Sequence, residues 1–195
     1  MTFEVRFHGR GGQGVVTAAE LLSVAAFAQG RHALAFPSFG SERTGAPVVS
    51  YCRIDDRAIR SHDPVSEPQA VVVQDPTLLH LPGVLDGLTA DGYLLVNSTG
   101  TAESLGLPVL APQLEERRIV TVAATDLARQ ALGRPLPNTA LLGALAGLTG
   151  VVTLESLQAA IRERFPGTAG DLNATLAEAG FVLATGGSRR HAQAG

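Results

Sequence analysis

The chain has 195 residues and a mass of 20.2 kDa, which fits one domain with a small appendage. Apolar residues make up 45% and charged residues 17% of the sequence, and this balance excludes a wholly disordered chain. The formal net charge is −3 and all 15 basic residues are arginine, so chemistry that needs a Schiff-base, pyridoxal or P-loop lysine is excluded.

The first third of the sequence predicts three strands and one helix. Residues 3–8 alternate apolar and polar side chains, as a half-buried strand does. A helix is predicted over 14–29, because its apolar residues fall on one face. A short strand over 33–36 follows. Residues 48–61 read VVSYCRID, a second aspartate and RAIRS, a pattern that indicates a hairpin and therefore a mixed sheet.

The remainder predicts short buried strands alternating with helices. The apolar runs typical of buried strands lie at 71–74, 93–96 and 119–123. Helical turns are predicted at 76–81 and 84–88, and helices at 127–132, 138–148, 154–165 and 172–179. We expect these helices to be capped by Thr125-Asp126, Asn138 and Thr153, and the last one to end at Gly180.

Strands that alternate with helices indicate an α/β fold. We expect a three-layer sandwich with a mostly parallel, mixed sheet, a Rossmann-like glycine turn after the first strand and a helical C-terminal part. Residues 1–184 are predicted to form a single domain whose helical end covers about 138–182. The segment 185–195 is predicted to be a disordered tail.

The sharpest local motif is glycine-rich and lies between the first strand and the first helix. It matches the pattern G-x-G-x-x-G and consists of Gly9, Arg10, Gly11, Gly12, Gln13 and Gly14. Glycines there let a ligand approach the backbone, and the free N–H groups of a helix start favour an anion such as phosphate. Arg10 is a candidate for a bidentate contact to phosphate or carboxylate. The alternative is that the glycines serve only a tight turn and close helix–strand packing.

A dinucleotide site also needs an acid about 20 residues further on, at the end of the second strand. That place holds Ala35-Phe36-Pro37, and the nearest acid is Glu42. The dinucleotide interpretation therefore lacks its second half.

A second motif is the polar loop between Pro37 and Pro47. Its centre combines two hydroxyls, one acid and one guanidinium in Ser41, Glu42, Arg43 and Thr44. Because the carboxyl ends of strands carry the site in doubly wound folds, this loop is predicted to grip a ligand or a neighbouring subunit. The alternative is a self-satisfied turn in which Glu42 pairs with Arg43 or Arg10.

Several residue types are too scarce for other functions. The single cysteine, Cys52, excludes a four-cysteine iron–sulfur cluster, a CxxC pair and a cysteine zinc site built from this chain alone. No tryptophan and 5% aromatic residues are poor material for nucleic-acid binding. The apolar runs are far shorter than the ~18–20 residues of a membrane span, and no leader-like pattern opens the chain, so we expect a cytoplasmic protein.

Charge is unevenly distributed along the sequence. Residues 1–60 carry seven arginines and five acids, residues 61–116 eight acids and no base, and residues 117–195 eight arginines and five acids. The acidic middle is either a solvated face or a surface that repels acidic partners.

Two of these motifs together resemble a known family. GRGGQGVVTAAELL and FPSFGSERTGAPVVSYCRID resemble the gamma subunit of 2-oxoacid:ferredoxin oxidoreductases, the pyruvate synthase group. The later PNTALLGALAGLTGVVTLESLQAAIRERF resembles that subunit's C-terminal helices, so the similarity covers most of residues 3–182. The resemblance implies a complex that converts a 2-oxoacid and coenzyme A to an acyl-CoA and carbon dioxide, with two electrons passed to ferredoxin.

The resemblance also implies a division of labour between subunits. Thiamine diphosphate, Mg and iron–sulfur clusters belong to partner chains, because this sequence has one cysteine and no Gly-Asp-Gly followed by paired asparagines. This chain is then inactive alone and needs alpha, beta and delta-type subunits. It has no catalytic residue and no metal ligand of its own, and the glycine turn with Ser41–Thr44 is the candidate contact for coenzyme A. The alternatives are a stand-alone dinucleotide-binding protein and a non-catalytic assembly module.

Overall fold

A six-stranded sheet organises the chain, in the order β2-β3-β1-β4-β5-β6. The computed structural model describes residues 2–38 and 44–192, with side chains described up to residue 186. The strands are β1 Phe3–Arg10, β2 His32–Pro37, β3 Pro47–Asp55, β4 Ala70–Val73, β5 Tyr93–Asn97 and β6 Ile119–Val122. The helices are α1 Val15–Ala28, α2 Leu107–Leu110, α3 Ala124–Leu132, α4 Asn138–Thr149, α5 Leu154–Arg164 and α6 Thr168–Ala192, with 3-10 turns at Pro76–Leu78 and Glu116–Arg118.

The sheet is mixed and mostly parallel, as predicted. β1, β4, β5 and β6 run parallel, and β3 pairs antiparallel with both β1 and β2. Val5 of β1 lies opposite Ala70 of β4 on one side and Cys52 of β3 on the other. The predicted hairpin over 48–61 is wrong, because both edges of β3 are already occupied by β1 and β2. Residues 57–61 therefore have no edge to pair with and form no strand.

Two apolar cores lie on opposite faces of the sheet, because alternate residues of a strand point to opposite sides. Val72 and Leu95 join the core formed with α1 and α3–α6. Val71, Val73 and Leu94 join a smaller core covered by the short turns and α2 between residues 76 and 114. The chain is thus an α/β three-layer sandwich with long helices on one face only.

Helices α4 and α6 pack closely through small residues. A Cβ atom on Gly143 would overlap the carbonyl oxygen of Ala177, and one on Gly180 would overlap that of Ala140. The predicted helix end at Gly180 is wrong for this reason: the glycine provides the close approach to α4 rather than a terminus. Helix α6 continues to Ala192, within the segment predicted as a tail.

Of the three predicted helix caps one is confirmed and two are wrong, and one predicted helical turn is absent. Thr153 caps α5 as predicted, its Oγ1 accepting a hydrogen bond from the Ser156 N–H at 3.2 Å. Ala123, not Thr125-Asp126, precedes α3, and Asp126 instead forms an ion pair with Arg129. Asn138 is the first residue of α4 rather than its cap. Residues 84–88 form turns without a helix.

Candidate functional site

The glycine turn links β1 to α1 and leaves the start of the helix open. Gly12 and Gly14 adopt φ angles of 95° and 74°, a left-handed conformation that favours glycine. Gly14 precedes α1, and no side chain among the described residues caps the helix. The first intrahelical bond runs from the Ala18 N–H to the Gly14 carbonyl at 2.9 Å. The N–H groups of residues 15–17 are therefore available to an anion.

The glycines of this turn have different tasks. A Cβ on Gly9 would lie 2.6 Å from Val15 Cγ2, and one on Gly14 would lie 2.5 Å from Asn138 Nδ2. These two positions are glycine because neighbouring elements pack against them. This agrees with the alternative that the glycines serve close packing rather than a ligand. A Cβ on Gly12, in contrast, would have no heavy atom of the described residues within 4 Å. Gly12 is thus the place where a ligand can approach the backbone.

Arg10 clamps the turn to its surroundings. Its Nε donates to Asp75 Oδ2 at 3.0 Å, its Nη1 to the Gly45 carbonyl at 3.1 Å and its Nη2 to Thr77 Oγ1 at 2.7 Å. The side chain remains 35% exposed. Because three of five guanidinium N–H groups bond to described residues, the first task of Arg10 is to join three segments, and the described residues leave two N–H groups for a ligand.

Asp75 is the acceptor at the centre of this cluster, and the sequence analysis missed it. Gln13 Nε2 donates to its Oδ2 at 3.2 Å, and the Thr77 N–H donates to its Oδ1 at 3.0 Å. Burial raises the pKa of Asp75, but the hydrogen bonds from Thr77 and Gln13 and the Arg10 charge outweigh it, so the pKa lies below its ordinary value. The signal was an acid placed just after a buried parallel strand.

The structure brings the glycine turn and the polar loop together. Gly11 pairs with Thr44 in an isolated parallel bridge, with the Gly11 N–H donating to the Ala46 carbonyl at 2.9 Å and the Gly45 N–H to the Gly11 carbonyl at 3.1 Å. Ser41, Glu42 and Arg43 lie outside the described residues, so their positions stay predictions.

A groove of about 360 Å³ opens at this turn. It is lined by Arg10, Gly11, Gly12, Gly14, Val15, Val16, Thr17 and Val48. Backbone N–H groups and one guanidinium face an apolar wall there. Such a lining suits a phosphate or carboxylate group attached to an apolar portion.

The second strand does not support a dinucleotide site. In the dinucleotide-binding fold the second strand lies next to the first. Here β3 lies between β1 and β2. The end of β2 is therefore one strand further from the glycine turn than a ribose-binding acid requires.

Three buried amide side chains lie near the strand ends beside the glycine turn. The sequence analysis did not predict that they cluster there. Asn97 Nδ2 donates to the Gln74 carbonyl at 2.8 Å, and Asn97 Oδ1 accepts from the Thr125 N–H at 3.1 Å. Asn138 Nδ2 lies 3.5 Å from the Gly14 carbonyl oxygen. The Gln74 side chain is 1% exposed, and neither of its polar atoms has a partner among the described residues. Asn97 thus ties the start of α3 to the end of β4, and Asn138 ties the start of α4 to that of α1.

His8, next to the turn in sequence, is packed against its neighbours and accepts a hydrogen bond at Nε2 from Arg6 Nε at 3.1 Å. Burial and the Arg6 charge lower the pKa of His8 to about 3, so the ring is neutral.

Within residues 2–38 and 44–192, no group of three or more His, Cys, Asp or Glu side chains is arranged to hold a metal ion. No helix among those residues combines the length and apolar character needed to cross a bilayer.

Comparisons with known proteins agree on one family. The family model described as pyruvate ferredoxin/flavodoxin oxidoreductase matches residues 4–183. The chain is 48% identical over 178 residues to pyruvate synthase subunit PorC of Methanothermobacter marburgensis, covering 91% of this chain and 95% of that protein. It is 47% identical over 180 residues to the common subunit gamma of the pyruvate/ketoisovalerate oxidoreductases of Thermococcus kodakarensis, with the same coverage of 91% and 95%.

A solved structure gives the same answer. The crystal structure of pyruvate oxidoreductase subunit PORC from Thermotoga maritima superposes with a TM-score of 0.78 at 38% identity. The match covers 92% of this chain and 95% of that chain. The similarity therefore extends over the sheet, the glycine turn and the C-terminal helices together.

Proposed function

The chain belongs to the pyruvate ferredoxin/flavodoxin oxidoreductase family, and from that membership we propose that it acts as the gamma-type subunit of a multi-subunit 2-oxoacid:ferredoxin oxidoreductase. The observation that carries the proposal is the 48% identity to a pyruvate synthase subunit over nearly the full length of both chains. The complex would convert a 2-oxoacid and coenzyme A to an acyl-CoA and carbon dioxide, with two electrons passed to ferredoxin.

This chain's own residues do not fit the redox cofactors of such a complex. Its one cysteine, Cys52, is fully buried in the core, and burial raises the pKa of the thiol, which opposes the thiolate form that an iron–sulfur cluster needs. Thiamine diphosphate, Mg and iron–sulfur clusters then belong to the alpha, beta and delta-type partners. Those groups supply the carbanion and electron-transfer chemistry, and this chain contributes to assembly and to covering the active site.

The glycine turn is the proposed contact for coenzyme A. The open start of α1 suits the negative charge of the coenzyme A phosphates, and the unobstructed Gly12 backbone lets them come close. Arg10 would donate to a phosphate oxygen through the two N–H groups that the described residues leave free. The polar loop follows directly through Thr44, so Ser41, Glu42 and Arg43 are proposed to line the same contact.

The choice of 2-oxoacid is proposed to rest with the partner chains. The Thermococcus kodakarensis relative is named as common to pyruvate and ketoisovalerate oxidoreductases, so one gamma subunit of this type serves two substrates. Pyruvate is the first substrate to test, and a branched-chain 2-oxoacid the second.

Co-expression with alpha, beta and delta-type chains of the same organism tests the proposal. We expect one brown complex that contains all four chains and reduces ferredoxin with pyruvate and coenzyme A. The isolated chain is expected to be colourless and inactive. Full-rate turnover of a 2-oxoacid by the isolated chain would overturn the proposal, and tight NADH binding by it would favour the dinucleotide alternative.

The coenzyme A contact has its own test in the same complex. We expect Arg43→Ala to raise the KM for coenzyme A with little change in kcat. The matched control is Arg129→Ala, which removes an exposed arginine from α3. Unchanged KM and kcat in the intact Arg43→Ala complex would refute the contact. Loss of subunits on gel filtration without loss of turnover per intact complex would assign the loop to assembly alone.

A further inference from the structure

Strand β6 forms an open edge of the sheet. Among the residues that the structure describes, it pairs only with β5, with Leu94 opposite Ile119 and Asn97 opposite Val122. The Ser98 N–H donates to the Val122 carbonyl at 2.9 Å, so the backbone of Val122 faces β5. Because backbone groups alternate in direction along a strand, those of Ile119 and Thr121 point away from the sheet. The Ile119 N–H donates to the Glu116 carbonyl of the preceding 3-10 turn, so the edge presents the Thr121 N–H and the C=O groups of Ile119 and Thr121.

A groove of about 510 Å³ runs along that edge. Its floor is β6, and its lining includes Glu103, Pro108, Glu116, Arg117 and Leu183. The segment 98–108 forms one wall and Leu183 of α6 the other. This shape matches an added strand, whose side chains point alternately to the two walls.

Helices α2 and α6, which each contribute a residue to the groove, carry exposed apolar side chains. Val109 on α2 is 82% exposed, and Val182 and Leu183 on α6 are 59% and 49% exposed. These three belong to the seven large apolar side chains of the described residues that are exposed. Their concentration on the two elements beside one groove marks an interaction surface.

The charge at the groove is negative on balance. Glu116 lies in the lining and has no ion-pair partner among the described residues, whereas the charge of Arg117 is matched by Glu115. The preceding segment 61–116 carries eight acids and no base. A second copy of this chain would bring the same acidic lining against itself, so charge favours a basic partner over self-association.

We propose that the groove along β6 receives an extended, basic segment of a partner chain, which adds to the sheet as a seventh strand. This inference rests on the proposed function, since the partner is another subunit of the same complex. Main-chain hydrogen bonds to the Thr121 N–H and to the carbonyls of Ile119 and Thr121 supply the attachment. Leu183 and Pro108 contact the apolar side chains of the added strand, and Glu116 faces its positive charge.

The substitution Thr121→Pro tests the strand addition directly. Proline removes the outward N–H and leaves the β5–β6 ladder intact, since that ladder does not use it. We expect a folded variant whose affinity for the co-expressed partner chains falls about tenfold. The control Thr121→Val keeps the N–H and is expected to assemble normally.

Charge reversal and hydrogen exchange give independent readouts. Glu116→Arg is expected to weaken assembly by about tenfold, whereas Glu163→Arg, at an exposed position of α5, is expected to have no effect. Amide hydrogen exchange of a peptide that spans 119–122 is expected to slow in the complex relative to the isolated chain. The exchange readout decides the matter where Thr121→Pro does not fold.

Failure of this inference is distinct from failure of the proposed function. If the wild-type chain forms no complex, the proposed function fails. If the complex forms while exchange at 119–122 is unchanged and both Thr121→Pro and Glu116→Arg assemble normally, only the strand addition is refuted. A concentration-dependent dimer of the isolated chain with protected 119–122 amides would replace the basic partner by a second copy.

Discussion

Arg10 and Asp75 join the end of the first strand to the end of the fourth, with Nε and Oδ2 3.0 Å apart. The carboxylate side chain is 15% exposed and also accepts hydrogen bonds from Gln13 and Thr77. A partly buried, charge-assisted contact of this kind contributes more than a surface ion pair. The position of the glycine turn therefore depends on an acid 65 residues later in the chain.

Asp75→Asn tests this dependence. The substitution keeps the shape and removes the charge, and we expect the free energy of unfolding to fall by about 1–3 kcal/mol at pH 7, measured by urea denaturation. The pKa of Asp75 is lowered in the folded state, so its contribution is present above about pH 4 and is lost as the pH falls further. The wild type and the variant should converge in acid. Glu115→Gln, at an exposed ion pair, is the control and should change little, and equal losses in both variants would contradict the assignment.

His8 makes stability depend on pH in a different range. Its pKa is about 3 in the folded chain and about 6.5 in the unfolded chain, so protons bind preferentially to the unfolded state between these values. Lowering the pH from 7 to 5 should therefore cost about 2 kcal/mol through this residue. His8→Gln preserves an acceptor for Arg6 Nε and should remove that part of the pH dependence. Identical slopes for both proteins would show that His8 is not buried in its neutral form.

Two glycine-to-alanine substitutions distinguish packing from helix propensity. At Gly143 an added Cβ meets the backbone of α6, so Gly143→Ala should destabilise the chain by about 1–3 kcal/mol or more in thermal or urea unfolding. Gly186, on α6, has no heavy atom of the described residues within 4 Å of its Cβ position. Gly186→Ala should therefore stabilise by up to about 1 kcal/mol. Equal effects at both positions would refute the close α4–α6 contact.

Cys52 is expected to be inert in the native chain. Burial raises the pKa of its thiol, and the thiolate is the reactive form. A thiol reagent such as dithionitrobenzoate should label the unfolded chain stoichiometrically and the native chain only at the rate of unfolding. Rapid labelling at native conditions would show that the centre of the sheet opens locally.

Periodicity and turn residues predict much of the fold from the sequence. The alternation in β1 and the apolar face of α1 are local signals, and both elements lie within two residues of their predicted bounds. The cap at Thr153 is equally local. The predicted helix end at Gly180 was wrong because a glycine in a helical pattern marks either a terminus or a close contact with another element. Only the tertiary partner, here the Ala140 carbonyl, distinguishes these uses.

Strand neighbours and side-chain partners depend on long-range contacts. No local pattern in the sequence indicates that β3 lies between β1 and β2. The hairpin over 48–61 was predicted wrongly because the strand neighbours of β3 could not be inferred. The glycine turn was correctly placed between a strand and a helix, but its supports were not identified. Asn138 was predicted as a helix cap and Asp75 was given no role, and only the fold shows that both contact the turn.

The contact between Gly14 and Asn138 spans 124 positions of the chain and has a consequence for biosynthesis. On a ribosome the N-terminal strand and helix emerge long before α4 does. A nascent polypeptide stopped short of residue 138 has the Arg10–Asp75 contact but lacks the support of Asn138 beneath Gly14. The proposed coenzyme A contact would therefore gain its full support only after α4 has left the ribosome.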